Sequence, residues 1–177
     1  MFVTPLGYAA ASGQLSVVYT LLELGEDVDS QHRDGGSTAL FLALYGGHES
    51  LATLLLEKGA STELAFGYHP LHAAARNGFN GIIADLITTH GVDPNIPDCD
   101  GAVPAVYALL QEQDKALATL LQLKSHGASL DMTLDGTERP LTLDNVAVAL
   151  GKMEVLCKAR QAKDTGVESS LAGSGCD

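Results

Sequence analysis

The chain has no tryptophan, three cysteines and few aromatics, the last making up 5% of its 177 residues. Without large rings, a core must be filled by Leu, Ile, Val and Ala, whose small cross-section suits closely packed helices. Cys99, Cys157 and Cys176 are odd in number and widely spaced, with no C-x-x-C pair, which argues against a disulfide framework and a zinc ribbon. Free thiols in a reducing compartment follow most simply. No apolar run approaches the roughly 18 residues that suggest a bilayer span, and no secretory leader precedes the first patterned segment. A soluble, intracellular, cytoplasmic protein is expected. Positive charge is scarce too: 10 Lys and Arg stand against 22 Asp and Glu, a net charge of −12. Up to Asp100, the only cations opposing the carboxylates are Arg33, Lys58 and Arg76. Such a surface repels phosphate backbones and anionic lipid, so neither nucleic acid nor a membrane is an expected partner. It is compatible with a protein partner bearing a basic surface.

What the chain does have is a recurring phrase. It reads Thr4-Pro5-Leu6 with Ala9, Ala10 and Gly13, then Thr38-Ala39-Leu40 with Ala43 and Gly47, then His69-Pro70-Leu71-His72-Ala73-Ala74 with Gly78, then Val103-Pro104-Ala105 with Ala108. The equivalent positions Pro5, Ala39, Pro70 and Pro104 are spaced by 34, 31 and 34. A fixed period of this size marks stacked supersecondary units that share a continuous core. Each unit reads as turn, helix, tight turn, helix, loop. In the third, Pro70 opens a helix at its first position, where the missing N–H costs nothing. Leu71, Ala74 and Ala75 give an i, i+3, i+4 stripe, and Gly78 suits a left-handed C-terminal position. Ile82, Ile83, Leu86 and Ile87 form one face of the second helix.

The fourth unit replaces the inter-helix Gly with Glu112 and carries extra residues before His126-Gly127. A degraded fifth unit is expected from Pro140-Leu141-Thr142 and Gly151 to Leu156, with Lys152, Lys158, Arg160 and Lys163 as its polar outer face. The predicted boundaries are 2–32, 33–63, 64–97, 98–134 and 135–160, followed by a small, polar, disordered tail at 161–177. The abrupt start at Met1-Phe2-Val3 leaves two readings: the first unit caps itself, or the chain is a piece of a longer protein, the reading favoured here.

Constellations that could carry chemistry are weak. His69 and His72 stand three apart, a spacing that can place two metal ligands on one helix face. No further ligand lies at fitting distance in the sequence. A Cys99–His69 nucleophile pair has no local signature. Asp27/Asp29 and Asp98/Asp100 lack the twelve-residue loop of a calcium site. Gly35-Gly36 is not followed by the Lys and helix of a phosphate loop. No cofactor, metal or catalytic residue is expected.

Taken together, Pro70 to Gly78, Asp93-Pro94-Asn95, Gly36 to Leu40 and Leu54 to Ala60 closely resemble the ankyrin repeat family over roughly residues 2–158. The pattern departs at Phe41, where the family uses His, at His69, where it uses Thr, and at Val103 and Val106. The resemblance implies an all-α solenoid of helix-turn-helix units with projecting hairpin loops, acting as a monomeric protein–protein interaction module. It implies that His72 hydrogen-bonds neighbouring loops. It also implies partner contacts at the loop tips and along the exposed edge of each first helix. Carried over by position, these are Gln31, His32, Asp34, Ser37, Phe66, Tyr68, Cys99 and Asp100 at the tips, and Tyr45, Arg76, Asn77, Leu110 and Gln111 on the helices. Tyr68 and Arg76 stand out as interface residue types, whereas Phe66 reads as local packing. The expected function is an adaptor that presents a rigid acidic concave surface. The alternative is a regulatory or targeting fragment of a larger, catalytic protein.

Overall fold

The computed structural model describes residues 4–31, 37–63, 68–131, 133–134 and 141–162. Within them, helices α1 (Pro5–Ala11) and α2 (Leu15–Glu23) are followed by α3 (Ala39–Tyr45) and α4 (Glu49–Glu57), then α5 (Pro70–Asn77) and α6 (Asn80–Thr88). The series continues with α7 (Pro104–Ala108) and α8 (Gln113–Ser125), and ends with α9 (Leu143–Ala149) and α10 (Met153–Gln161). Two-residue strands β1 (Thr133–Leu134) and β2 (Leu141–Thr142) pair antiparallel between α8 and α9, with Thr133 opposite Thr142. This small ladder is an addition to the all-α architecture that the repeat pattern predicts. The proposed tail from 163 onward lies outside the described residues.

The recurring phrase is a helix-start signal. Thr4, Thr38 and Thr142 sit in extended backbone, and their hydroxyls accept from the N–H of Gly7, Phe41 and Asn145 at 3.0, 3.3 and 3.1 Å. His69 replaces Thr in the third unit and does the same work through its ring: Nδ1 accepts from Leu71 N–H at 3.0 Å. Val103 makes no side-chain cap. Proline occupies the first turn of α1, α5 and α7. Gly78 closes α5 in the left-handed region at φ 74°, as the pattern predicts.

Burial follows the period. Ala9, Ala43, Ala74, Ala108 and Ala147 are equivalent first-helix positions and are at most 2% exposed. These small side chains let first helices approach closely. Leu6, Leu40, Leu71 and Leu143 lock the layers together, and Leu55, Leu86, Leu120 and Leu156 fill the second helices. Among the described residues, α1 meets α3, α3 meets α5 and α5 meets α7 in extensive contact, whereas α7 meets α9 only slightly; among second helices α8 packs on its neighbours α6 and α10. From the first to the fourth unit the stack is tighter on the first-helix side and bends toward it, so α1, α3, α5 and α7 line the inner face.

Leu71 is fully buried between α3 and α7. Leu71→Ala should lower the unfolding free energy by about 2–5 kcal/mol in urea denaturation, the sum of lost transfer energy and an unfilled cavity. A change below about 1 kcal/mol would contradict this packing.

Candidate functional site

The inner face carries a ridge built from one repeated position. Ala11, Tyr45, Arg76 and Leu110 fall at the same place in successive units and all are exposed, Tyr45 by 57% and Leu110 by 52%. The Arg76 guanidinium lies over the Tyr45 ring, its Cζ 4.7 Å from the centroid. Tyr45 in turn stacks on Phe41 at 5.8 Å with the rings 24° apart. Three of the residues expected to touch a partner are thus brought side by side.

Two others make hydrogen bonds between units, and one of them, Gln111, is buried. The Asn77 amide donates to Leu44 O at 2.8 Å and to Ala73 O at 3.0 Å, so it is half-buried and committed. Gln111 is 8% exposed; its amide donates to Ala75 O and to Thr119 Oγ1. Its Oε1 fills the space where a side chain at residue 78 would begin, 2.5 Å from an ideal Cβ on Gly78. Gln111 is therefore an internal tie between units and not a partner contact. Both residues join the last turn of one first helix to its neighbour, as His48 does with Ala11 O at 3.1 Å and Lys152 with Leu109 O at 2.7 Å. Of the expected polar outer face of the fifth unit, Lys158 is exposed and pairs with Glu154 at 2.6 Å, Lys163 lies outside the described residues, and the other two are drawn inward. Lys152 is engaged internally, and Arg160 holds Asp144 bidentately at 2.7 and 2.9 Å while also donating to Leu130 O.

At the loop side, a polar cluster joins the third and fourth units. His72 Nδ1 accepts from His69 N–H at 3.1 Å, which leaves Nε2–H to donate to Ile96 O and Ala102 O at 3.0 and 3.1 Å. His72 thus ties neighbouring loops, as the resemblance implies. Asp98 Oδ1 accepts from the N–H of Asp100 and Ala102, both at 2.8 Å, shaping the loop tip, and its Oδ2 accepts from the Tyr107 hydroxyl at 2.5 Å. Tyr107 meets His72 edge-on at 5.3 Å and Tyr68 at 6.5 Å. Burial and the Asp98 bond hold the Tyr107 hydroxyl well above its usual pKa. A hydrogen bond with Cys99 and the nearby carboxylates raise Tyr68. Cys99, Asp100 and Gln31 are exposed, while Tyr68 and Ser37 are half-buried. The Ser37 hydroxyl finds no hydrogen-bond partner among the described residues. His32, Asp34 and Phe66 lie outside the described residues.

Charge is distributed differently from the expectation of an acidic concave face. Helices α1, α3, α5 and α7 contain no Asp or Glu, and Arg76 is their one Lys or Arg. Carboxylates sit on the second helices, as Glu23, Glu49, Glu57, Asp85 and Asp114, and in loops. The acidity of the chain is therefore not carried by α1, α3, α5 and α7, whereas α9 holds Asp144. Among the described residues no group of His, Cys, Asp and Glu could hold a metal ion, and no helix is long and apolar enough to cross a membrane. An open cleft lined by Ser16, Val17, Thr20 and Leu21 lies on α2, away from the ridge.

The sequence matches known families. A model of ankyrin repeats in three copies covers residues 3–65 and a single-repeat model covers 66–99, together more than half of the chain. Ankyrin repeat and SOCS box protein 16 of Mus musculus is 38% identical over 122 residues, 63% of this chain and 26% of that protein. Putative palmitoyltransferase ZDHHC13 of Danio rerio is 32% identical over 108 residues, 60% of this chain and 17% of that protein. Rabankyrin-5 of Mus musculus is 30% identical over 138 residues, 71% of this chain and 12% of that protein. The chain spans about a quarter or less of the length of these relatives.

Two outcomes test this geometry. Gln111→Ala leaves Ala75 O buried without its donor and should cost about 1–3 kcal/mol of stability. Leu110→Ala, one residue away but exposed, should stay within about 0.5 kcal/mol. Equal losses in chemical denaturation would refute the assignment of inside and outside at this turn.

The second test concerns acid. Burial, with a smaller contribution from His72, lowers the His69 pKa from 6.5 to about 4. Burial also lowers His72, against the pull of Asp98 and the carbonyls it touches. The unfolded chain therefore takes up protons that the folded chain refuses. The contribution of His69 is fully present above pH 6.5 and is lost as the pH falls from 6.5 toward 4. His69→Thr keeps an N-cap and removes the imidazole. The drop in melting temperature between pH 7 and pH 5 should be smaller in that variant than in the parent chain. An unchanged drop would place the acid sensitivity elsewhere.

Proposed function

The chain belongs to the ankyrin repeat family, and on that premise we propose that it is a protein–protein interaction module whose docking surface is the inner-helix ridge of Tyr45, Arg76 and Leu110. Ankyrin repeats are generally protein-binding units. The observation that carries the placement is the Arg76–Tyr45–Phe41 stack, an ordered and exposed group of interface-rich residue types set on a scaffold tied from unit to unit. Such order lowers the entropy lost on binding. Tyr68, Cys99 and Asp100 extend the surface to the loop tip of the fourth unit. A single copy presents the whole ridge, so the module acts as a monomer. A basic patch on the partner would meet the carboxylates of the second helices and loops, while the ridge itself sets specificity.

A second reading builds on the first. Relatives several times longer than this chain carry the matched segment as one part, which supports an interaction or targeting role within a larger protein.

The test is affinity capture from lysate with quantitative mass spectrometry. It compares the chain with a Tyr45→Ala/Arg76→Ala/Leu110→Ala variant. A partner retained by the parent should fall at least about tenfold with the variant, while the melting temperature moves by no more than a few degrees. Undiminished capture by the variant would move the docking surface off the ridge.

A further inference from the structure

The ridge singles out one chemistry of partner, an inference that rests on the docking reading above. Arg76 is the one charged side chain on four first helices, in a chain whose net charge is −12. With 22 carboxylates in the chain, an intramolecular ion pair would be expected. None is made: among the described residues Arg76 contacts the Tyr45 ring and has no carboxylate partner. The contact holds the guanidinium against the ring and restricts its rotamers. Its N–H groups remain free, and these match a carboxylate in a two-pronged fork. On either side along the ridge stand Tyr45 and Leu110, apolar surfaces more than half exposed.

Geometry fixes the spacing. Packed helices lie about 8–10 Å apart, and a segment in the polyproline II conformation advances about 3.1 Å per residue and returns each side-chain direction every third residue, so neighbouring ridge positions match residues three apart on one face of such a partner segment. The strong negative charge of the whole chain disfavours a run of acids. We infer that the ridge binds a peptide segment extended in the polyproline II conformation, with one Asp or Glu flanked, three residues away on each side, by apolar residues. The carboxylate pairs with Arg76, and the apolar residues pack on Tyr45 and Leu110. The pattern is the same read in either chain direction.

The experiment is selection of a displayed library of random twelve-residue peptides on the full chain, on Arg76→Glu and on Leu110→Ala. Selection on the parent should enrich an acid with apolar residues at three positions before and after it. A synthetic peptide of the consensus should weaken at least about tenfold on Arg76→Ala, and equally when its own Glu becomes Gln. On Arg76→Glu the central position should switch to Lys or Arg. Because Arg76 is exposed and makes no hydrogen bond, an unchanged circular dichroism melt verifies that these variants are folded. Enriched peptides without the acid, or indifferent to Arg76→Glu but lost with Leu110→Ala, would overturn the carboxylate inference and leave the ridge as docking surface. Peptides indifferent to every ridge variant, or no enrichment above empty beads, would overturn both.

Discussion

The structure depends on how the carbonyl ends of very short helices are satisfied. The last four carbonyls of any α-helix lack intrahelical donors. In α1 and α3, seven residues long, those four are more than half of the helix. The next unit supplies donors in each case described: His48 to Ala11 O, Asn77 to Leu44 O, Gln111 to Ala75 O and Lys152 to Leu109 O. Four residue types perform one task, so what recurs is the donor and not its chemistry. A unit alone would leave these groups to water, which ties the stability of each helix pair to its neighbour.

The same ties create the ridge. Arg76 precedes Asn77 and Leu110 precedes Gln111, so an outward residue is adjacent to an inward anchor in both units. Fixing the amide in the interior fixes the backbone from which the next side chain projects. Tyr45 is followed by Gly46, over which the His48 ring lies. Order at the inner face is therefore a consequence of hydrogen bonding between units, and the Tyr45–Arg76 contact adds to it.

Much of the fold was legible because its signals are local. Pro70 at a first helical position, Gly78 at the turn and the buried Leu71 all follow from a few neighbouring residues. The burial of Gln111 and the anchoring of Asn77 were not legible because their partners lie in the preceding unit, with Leu44 O 33 residues and Ala75 O 36 residues away. A polar side chain at the end of an amphipathic helix looks solvent-facing until the next unit is placed. The expected acidic concave face is not shown, for another reason. Net charge has no direction, whereas the segments Pro5–Ala11, Ala39–Tyr45, Pro70–Asn77 and Pro104–Ala108 contain no acid, a signal present in the sequence once those helices are assigned. The Phe41–Tyr45–Arg76 stack could not be read at all, since it depends on the side-by-side placement of α3 and α5.

The junction of the third and fourth units shows how departures from the repeat are offset. Val103 provides no cap and Glu112 replaces a turn glycine, so the usual local supports of α7 are missing. Long-range bonds stand in their place. Tyr107 reaches back to Asp98, His72 reaches across to Ile96 and Ala102, and Gln111 crosses to Ala75. These groups are largely buried and mutually dependent, so the junction is specified by polar geometry where the other units use leucine and alanine. Its two imidazoles must be neutral to serve as acceptors, which confines its full strength to neutral pH. The arrangement leaves Arg76 as the single fixed charge on the inner face next to this junction. Charge at the ridge is thereby separated from charge used for solubility, which lies on the second helices and loops. On the proposed docking mode, a surface divided in this way would discriminate partners by one carboxylate placed on Arg76 and by the apolar residues that flank it.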